Sequence, residues 1–202
     1  MQMKITTFSV GIKGVRPLIM HNGRLANPMD SHTKALKAAS SKYKTSKSDD
    51  DFEEVSRTEF FGALYFDPKL GPVVPVDNLQ AMLVEGTRKR KLGKQIEALV
   101  QVMDPEQGTG YRLRYDGPRD RDGLFADEQF RFIKGVKVGQ STVMRTRPRF
   151  PQWEVDFILE VTEGGPNADQ IRDALDDAGL LVGLCDWTPR YGRFEVTKFE
   201  QS

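Results

Sequence analysis

Cysteine is almost missing from this chain. Cys185 stands alone in 202 residues, so neither an internal disulfide nor a CxxC metal site is possible. Long apolar runs are missing too. No window approaches the roughly 18 apolar residues that a membrane span needs, so no membrane partner is expected. The start, MQMKITTFSV, lacks the basic-then-apolar layout of a signal peptide. A cytoplasmic location is the default expectation. Walker, HExxH, GxSxG and EF-hand patterns do not occur. Asp49, Asp50 and Asp51 are adjacent but lack calcium-loop spacing. No metal and no cofactor are expected.

Acidic residues are scarce in particular places. Met1 to Ser48 holds one acid, Asp30, against nine Lys or Arg. Arg88 to Lys94 holds five bases and no acid, and Arg131 to Arg149 six bases and no acid. The acids gather at 49–51, 116–127 and 169–177. The formal net charge is only +1, yet this segregation makes a basic face possible. Separate solvated faces are the plainer alternative.

Hydrophobic periodicity gives the elements. Phe8, Val10 and Ile12 alternate through a strand, Lys4 to Lys13. Residues 22–70 read as an insertion. Within it, Ser31 to Lys47 is a lysine-rich, loose helix running into a mobile loop, and Asp51 to Phe66 is a firmer helix. Asp77 or Asn78 is the expected cap of the next helix, whose apolar face is Leu79, Met82, Leu83 and Gly86. That helix is expected to run into Arg88, Lys89, Arg90 and Lys91 and to stop at Gly93. Ala98 to Met103 suggests a strand, and about 104–128 a loop or mobile hairpin. Phe130–Val138 and Thr142–Arg149 alternate and are basic, the second with Arg145, Arg147 and Arg149 on one side. Trp153 to Thr162 alternates most strictly. Asn167 caps a helix carrying Ile171, Ala174, Leu175 and Ala178, and Gly179 closes it. With the insertion set aside, the order is βαββαβ. The expected fold is α+β and ferredoxin-like, a single domain over 1–202 with excursions at about 22–70 and 104–128.

The last stretch, Leu180 to Glu200, reads as an apolar strand (Leu180 to Val182), a loop, and a second strand alternating Phe194 and Val196 with Arg193, Glu195 and Thr197. The loop holds Gly183, Trp187, Arg190, Tyr191, Gly192 and Arg193. Glycines that admit close approach, arginines and aromatic rings suit a phosphate backbone with a base stacked on a ring. The same residues also suit a hairpin whose Trp187 and Tyr191 pack on each other.

Val73-Val74-Pro75-Val76-Asp77-Asn78-Leu79-Gln80-Ala81-Met82-Leu83 resembles the segment that opens the first helix of RAMP-superfamily proteins, the ferredoxin-like RNA-binding proteins of CRISPR systems. The stretch from Val182 to Val196 is similar to that superfamily's C-terminal glycine-rich loop and strand. Val76 stands where the family usually has glycine, and Cys185 and Trp187 stand where it often has glycine or a small residue. The resemblance is greatest to the backbone subunits that polymerise along guide RNA in CRISPR effector complexes. It implies single-stranded RNA, a guide RNA with or without a target strand, as partner. It also implies copies of the chain itself and other effector-complex subunits as partners. The implied contacts are Arg88, Lys89, Arg90, Lys91, Arg145, Arg147, Arg149, Gly183, Trp187, Arg190, Tyr191, Gly192 and Arg193. Lys34, Lys37, Lys42 and Lys44 are candidate contacts on a thumb or finger.

The resemblance leaves an enzyme alternative, a RAMP-like endoribonuclease with His21 or His32 as general acid or base and Lys34 steadying the developing charge. Asp30 sits where some filament-forming relatives carry a cleaving aspartate, although a turn or helix cap suits it better. No catalytic residue is assigned. A third reading is a phage single-stranded DNA-binding or assembly protein. RNA and DNA differ here only through contacts to the 2′-hydroxyl.

Overall fold

The computed structural model describes residues 3–201. In chain order the elements are β1 (Ile5–Gly14), β2 (Leu18–Ile19), α1 (Ser31–Ser46), α2 (Asp49–Ala63), β3 (Phe66–Asp67), β4 (Gly71–Val74), α3 (Val76–Gly86), α4 (Gly93–Leu99), β5 (Val100–Val102), β6 (Tyr111–Arg112), α5 (Arg121–Ala126), β7 (Arg131–Val138), β8 (Ser141–Phe150), β9 (Glu154–Thr162), α6 (Ala168–Asp177) and β10 (Phe194–Gln201). They fall into two compact units. One comprises 1–18, 66–116 and 151–202, the other 19–65 and 117–150.

The first unit is built on a four-stranded antiparallel sheet in the order β10-β1-β9-β5. With α3 after the first of these strands in the chain and α6 after the third, this is the ferredoxin-like arrangement. The alternation noted above decides its layering. Phe8, Val10 and Ile12 of β1 and Val155, Phe157, Leu159 and Val161 of β9 are buried on one face. Leu79, Met82 and Leu83 of α3 and Ile171, Ala174 and Leu175 of α6 are buried as well. The two helices approach closely at Gly86, where an added Cβ would lie 2.5 Å from the Ala174 carbonyl oxygen. Asn167 and Gln170 form a reciprocal capping box at the start of α6.

Several local expectations are corrected. Pro75, not Asp77 or Asn78, is the N-cap of α3, and no side chain caps it. The helix stops at Gly86, and Arg88–Arg90 form a separate 3-10 turn. Gly93 opens α4 instead of ending α3. Lys91 ends the turn with a left-handed φ of 58°. Leu180 to Val182 is not a strand. A π-type turn over Ala178–Val182 extends α6, with Leu180 exposed. A short apolar run cannot by itself distinguish strand from helix.

The second unit packs α2 on β8. The segment Ser31–Ser46, read above as a loose helix entering a mobile loop, is a full helix. Asp30 caps it by accepting from the His32 N–H at 2.8 Å. Lys42 ties it to α2 through Asp51 (2.7 Å) and Glu54 (2.9 Å). The stretch expected to be loop or hairpin contains α5, which buries Leu124 and Phe125. β7 and β8 pair from Arg131↔Pro148 to Val138↔Ser141 as a long hairpin.

Candidate nucleic-acid interface

The loop 183–192 is pinched shut at its base. Leu184 N–H donates to the Gly192 carbonyl (2.9 Å), Gly183 N–H to the Ala178 carbonyl (2.8 Å) and Gly192 N–H to the Pro17 carbonyl (2.8 Å). Both glycines have positive φ, 87° at Gly183 and 71° at Gly192. A Cβ on Gly192 would lie 2.0 Å from the Leu184 carbonyl oxygen, so no other residue fits. Cys185 (φ 66°) and Trp187 (φ 55°) are also left-handed. These are two positions at which the resembled loop often has glycine or a small residue. Strained non-glycine residues of this kind persist where the surroundings over-determine them. Asn78 of α3 contributes, donating its amide to the Cys185 sulfur at 3.4 Å. Burial pushes the Cys185 thiol up to about 12.

The tip of this closed loop carries Trp187, Pro189, Arg190 and Tyr191. The rings of Trp187 and Tyr191 lie 6.3 Å apart and tilted by 46°. The Arg190 guanidinium sits over the Tyr191 ring at 5.7 Å. Beside them opens a cleft of about 470 Å³ lined by Arg16, Pro17, Pro189, Arg190, Tyr191 and Arg193. Its lining, among the described residues, has three arginines and no acid. Arg16 was not singled out from the sequence. It belongs here because Val15 and Arg16 N–H groups both donate to the Arg193 carbonyl, at 2.8 and 3.2 Å. The signal available was its place in the acid-poor N-terminal stretch. Arg193 is oriented by its own Nε, which donates to the Pro189 carbonyl at 2.8 Å.

A second cleft, of about 330 Å³, also has Pro189 in its lining. Arg88, Lys89, Leu181, Val182 and Thr188 line it, together with Glu85 and Asp177. The basic turn after α3 and the C-terminal loop therefore meet, and Pro189 lines both clefts.

The remaining cations are placed differently. Arg90 bonds Asp173 and Asp177 of α6, both at 2.8 Å. Arg88 pairs with Glu85 one turn back and is otherwise exposed. Lys89 and Lys91 are exposed. Arg145, Arg147 and Arg149 belong to the other unit. Arg147 is buried, and its guanidinium donates to Glu59 at 2.8 Å. Arg145 shares that carboxylate at 3.1 Å, and the Thr146 N–H donates to it at 2.8 Å. Arg149 donates to the Gln129 carbonyl at 2.9 Å. On α1, Lys42 is held by Asp51 and Glu54, whereas Lys34, Lys37 and Lys44 are exposed.

His21 and His32 also lie in that unit. The His21 carbonyl accepts from the Tyr65 hydroxyl at 3.0 Å. Burial, then the charge of Arg24, lowers the His32 pKa from its ordinary value, and its Nε2 is enclosed with no hydrogen-bond partner. Asp30 is engaged as the cap of α1. Among the described residues no group of three or more His, Cys, Asp or Glu is placed to hold a metal ion. Nor is any described helix long and apolar enough to cross a membrane.

No family model and no curated protein matches the chain. Among solved structures, a chain in the cryo-EM structure of the Type III-B Cmr-beta bound to cognate target RNA is similar, with a TM-score of 0.52 at 13% identity. The match covers 98% of this chain but 61% of that one, so this chain spans about three fifths of the length of its neighbour. At that identity the likeness is one of fold, and it joins the βαββαβ order and the β10-β1-β9-β5 sheet in supporting a ferredoxin-like α+β protein.

Proposed function

We propose that this chain is a single-stranded RNA-binding subunit of a CRISPR-type ribonucleoprotein, with several copies set along one guide RNA beside other effector subunits. The observation that carries this reading is the acid-free cleft of Arg16, Arg190 and Arg193 against the pinned loop 183–192. Guanidinium forks donate bidentately to phosphate oxygens, and a fixed loop presents them without a large ordering cost. Tyr191 and Trp187 offer ring faces on which a base can stack without reading its identity. Arg88 and Lys89 extend the cationic track past Pro189. The Glu85–Arg88 pair is exposed and worth little, so Arg88 can exchange its partner for a phosphate. The fold shared with a chain of an RNA-bound Cmr-beta assembly supports the CRISPR context.

The test is the nucleic acid that co-purifies with the protein, treated separately with RNase and DNase. RNase alone should release it as short, length-distributed fragments. Release by DNase alone would replace this reading with a single-stranded DNA-binding one.

A further inference from the structure

A groove of about 530 Å³ runs between the outer side of α3 and the edge strand β5. Ala81, Val84 and Val102 line it, Asp77, Glu85 and Glu97 stand around it, and its lining has no Lys or Arg. Carboxylates around an apolar trough repel a polyanion, so the groove is not a continuation of the RNA track. An edge strand ordinarily invites an added strand. Gln80 forestalls that here. Its side-chain amide donates to the Val100 carbonyl at 3.0 Å and accepts from the Val102 N–H at 2.8 Å. Hydrogen-bonding groups that a new strand would need are thus already occupied. What fits is a helix with a shallow face and cations.

The chain itself carries such a helix. On α1, Lys34, Lys37 and Lys44 are exposed, and none pairs with an acid among the described residues. Exposed Ala38, Ser41 and Thr45 lie on the same side, since positions three, four and seven apart share a helix face. At 1.5 Å per residue, Lys34 to Lys44 spans about 15 Å and Asp77 to Glu85 about 12 Å, so the two charge sets are of comparable reach. We infer that α1 of one copy seats in the α3–β5 groove of the next, lysines against carboxylates. The contact joins two different surfaces, so it is head-to-tail and repeats along a line of copies. It rests on the reading that copies assemble on RNA, and assigns the surfaces that meet.

A charge swap tests it. One variant carries Lys34→Glu, Lys37→Glu and Lys44→Glu, the other Asp77→Lys and Glu97→Lys. Each alone should lose multi-copy assembly on a long RNA, read by light scattering, and an equimolar mixture should regain it, because opposite charges meet again at every junction. A third variant, Ala81→Trp, fills the groove with every charge kept and should lose assembly with or without a partner. Circular dichroism confirms that each variant is folded. Assembly by both charge variants alone, or no recovery in the mixture, overturns the proposal. So does weaker binding of the α1 variant to a one-copy RNA with assembly unchanged, which would give the lysines to RNA instead. The same mixing without RNA at high protein concentration reads the interface alone, so failure of RNA binding and failure of the interface are separable.

Discussion

Glu59 of α2 gathers three donors from β8 in the second unit. It is 2% exposed and accepts from Arg147, Arg145 and the Thr146 N–H. Removing one side of a buried ion pair leaves uncompensated charge, so Glu59→Ala should destabilise by roughly 3–5 kcal/mol. Glu59→Gln, which keeps an acceptor for Thr146, should destabilise less. Denaturant unfolding measures both. At the cleft of the first unit the opposite logic applies, because the arginines there have no acid among the lining residues. Each phosphate contact on a single strand contributes about −0.7 to the slope of log affinity against log salt. Arg190→Ala with Arg193→Ala should make the slope shallower by about 1.4, equally on unrelated RNA sequences. Tyr191→Ala should weaken binding by about 1–3 kcal/mol with the slope unchanged, since stacking releases no counterions. Salt titrations of the two variants separate charge from stacking. Parental affinity and slope in both would reduce the loop to a structural hairpin.

The α1–α2 pair is an element-scale lock set by charge. Hydrogen bonds from Lys42 and then Ser46 hold the Asp51 carboxyl down at about 2. An unfolded aspartate titrates near pH 4. A depressed folded value means that the stabilisation is complete above about pH 4 and fades as pH falls toward about 2. Lys42, whose pKa is raised by the same partners, stays charged throughout that window. The protection of α1 amides from exchange, taken relative to the intrinsic rate at each pH, should therefore fall between these pH values in the parent and vary far less in Asp51→Asn. The loop 183–192 is a lock of another kind, closed by backbone geometry. Gly192→Ala would place a Cβ against the Leu184 carbonyl at a φ of 71°. Left-handed strain alone costs about 1–3 kcal/mol, and the overlap with the Leu184 backbone adds to it. Thermal unfolding should show that loss together with weaker RNA binding. Arg190→Ala should weaken binding with little change in stability, because Arg190 is exposed.

At the scale of the whole molecule, one ferredoxin-like unit offers a short path to a strand. The two clefts that share Pro189 are small beside a guide RNA, so under the proposed function affinity would accumulate from neighbouring copies. The number of copies bound should rise stepwise with RNA length when followed by native mass measurement. A fixed one-to-one complex at every length would contradict multi-copy binding.

Sequence alone determined the sheet strands β1 and β9, the buried faces of α3 and α6 and the Asn167 cap. These are set by neighbours within a few residues, where periodicity is the physical signal. It also determined that Gly183 and Gly192 bracket a basic aromatic loop. Tertiary structure decided which cations remain available. Arg147 meets Glu59 across 88 positions and Arg90 meets Asp177 across 87, and no local pattern announces a partner so distant. Arg16 joined the cleft for the same reason, since the end of β1 lies against Arg193 only once the sheet has formed. The α1 segment is a stable helix rather than a loose one because Lys42 reaches α2 and Asp30 caps its start. Its weak apolar pattern carried too little of that stability to be read.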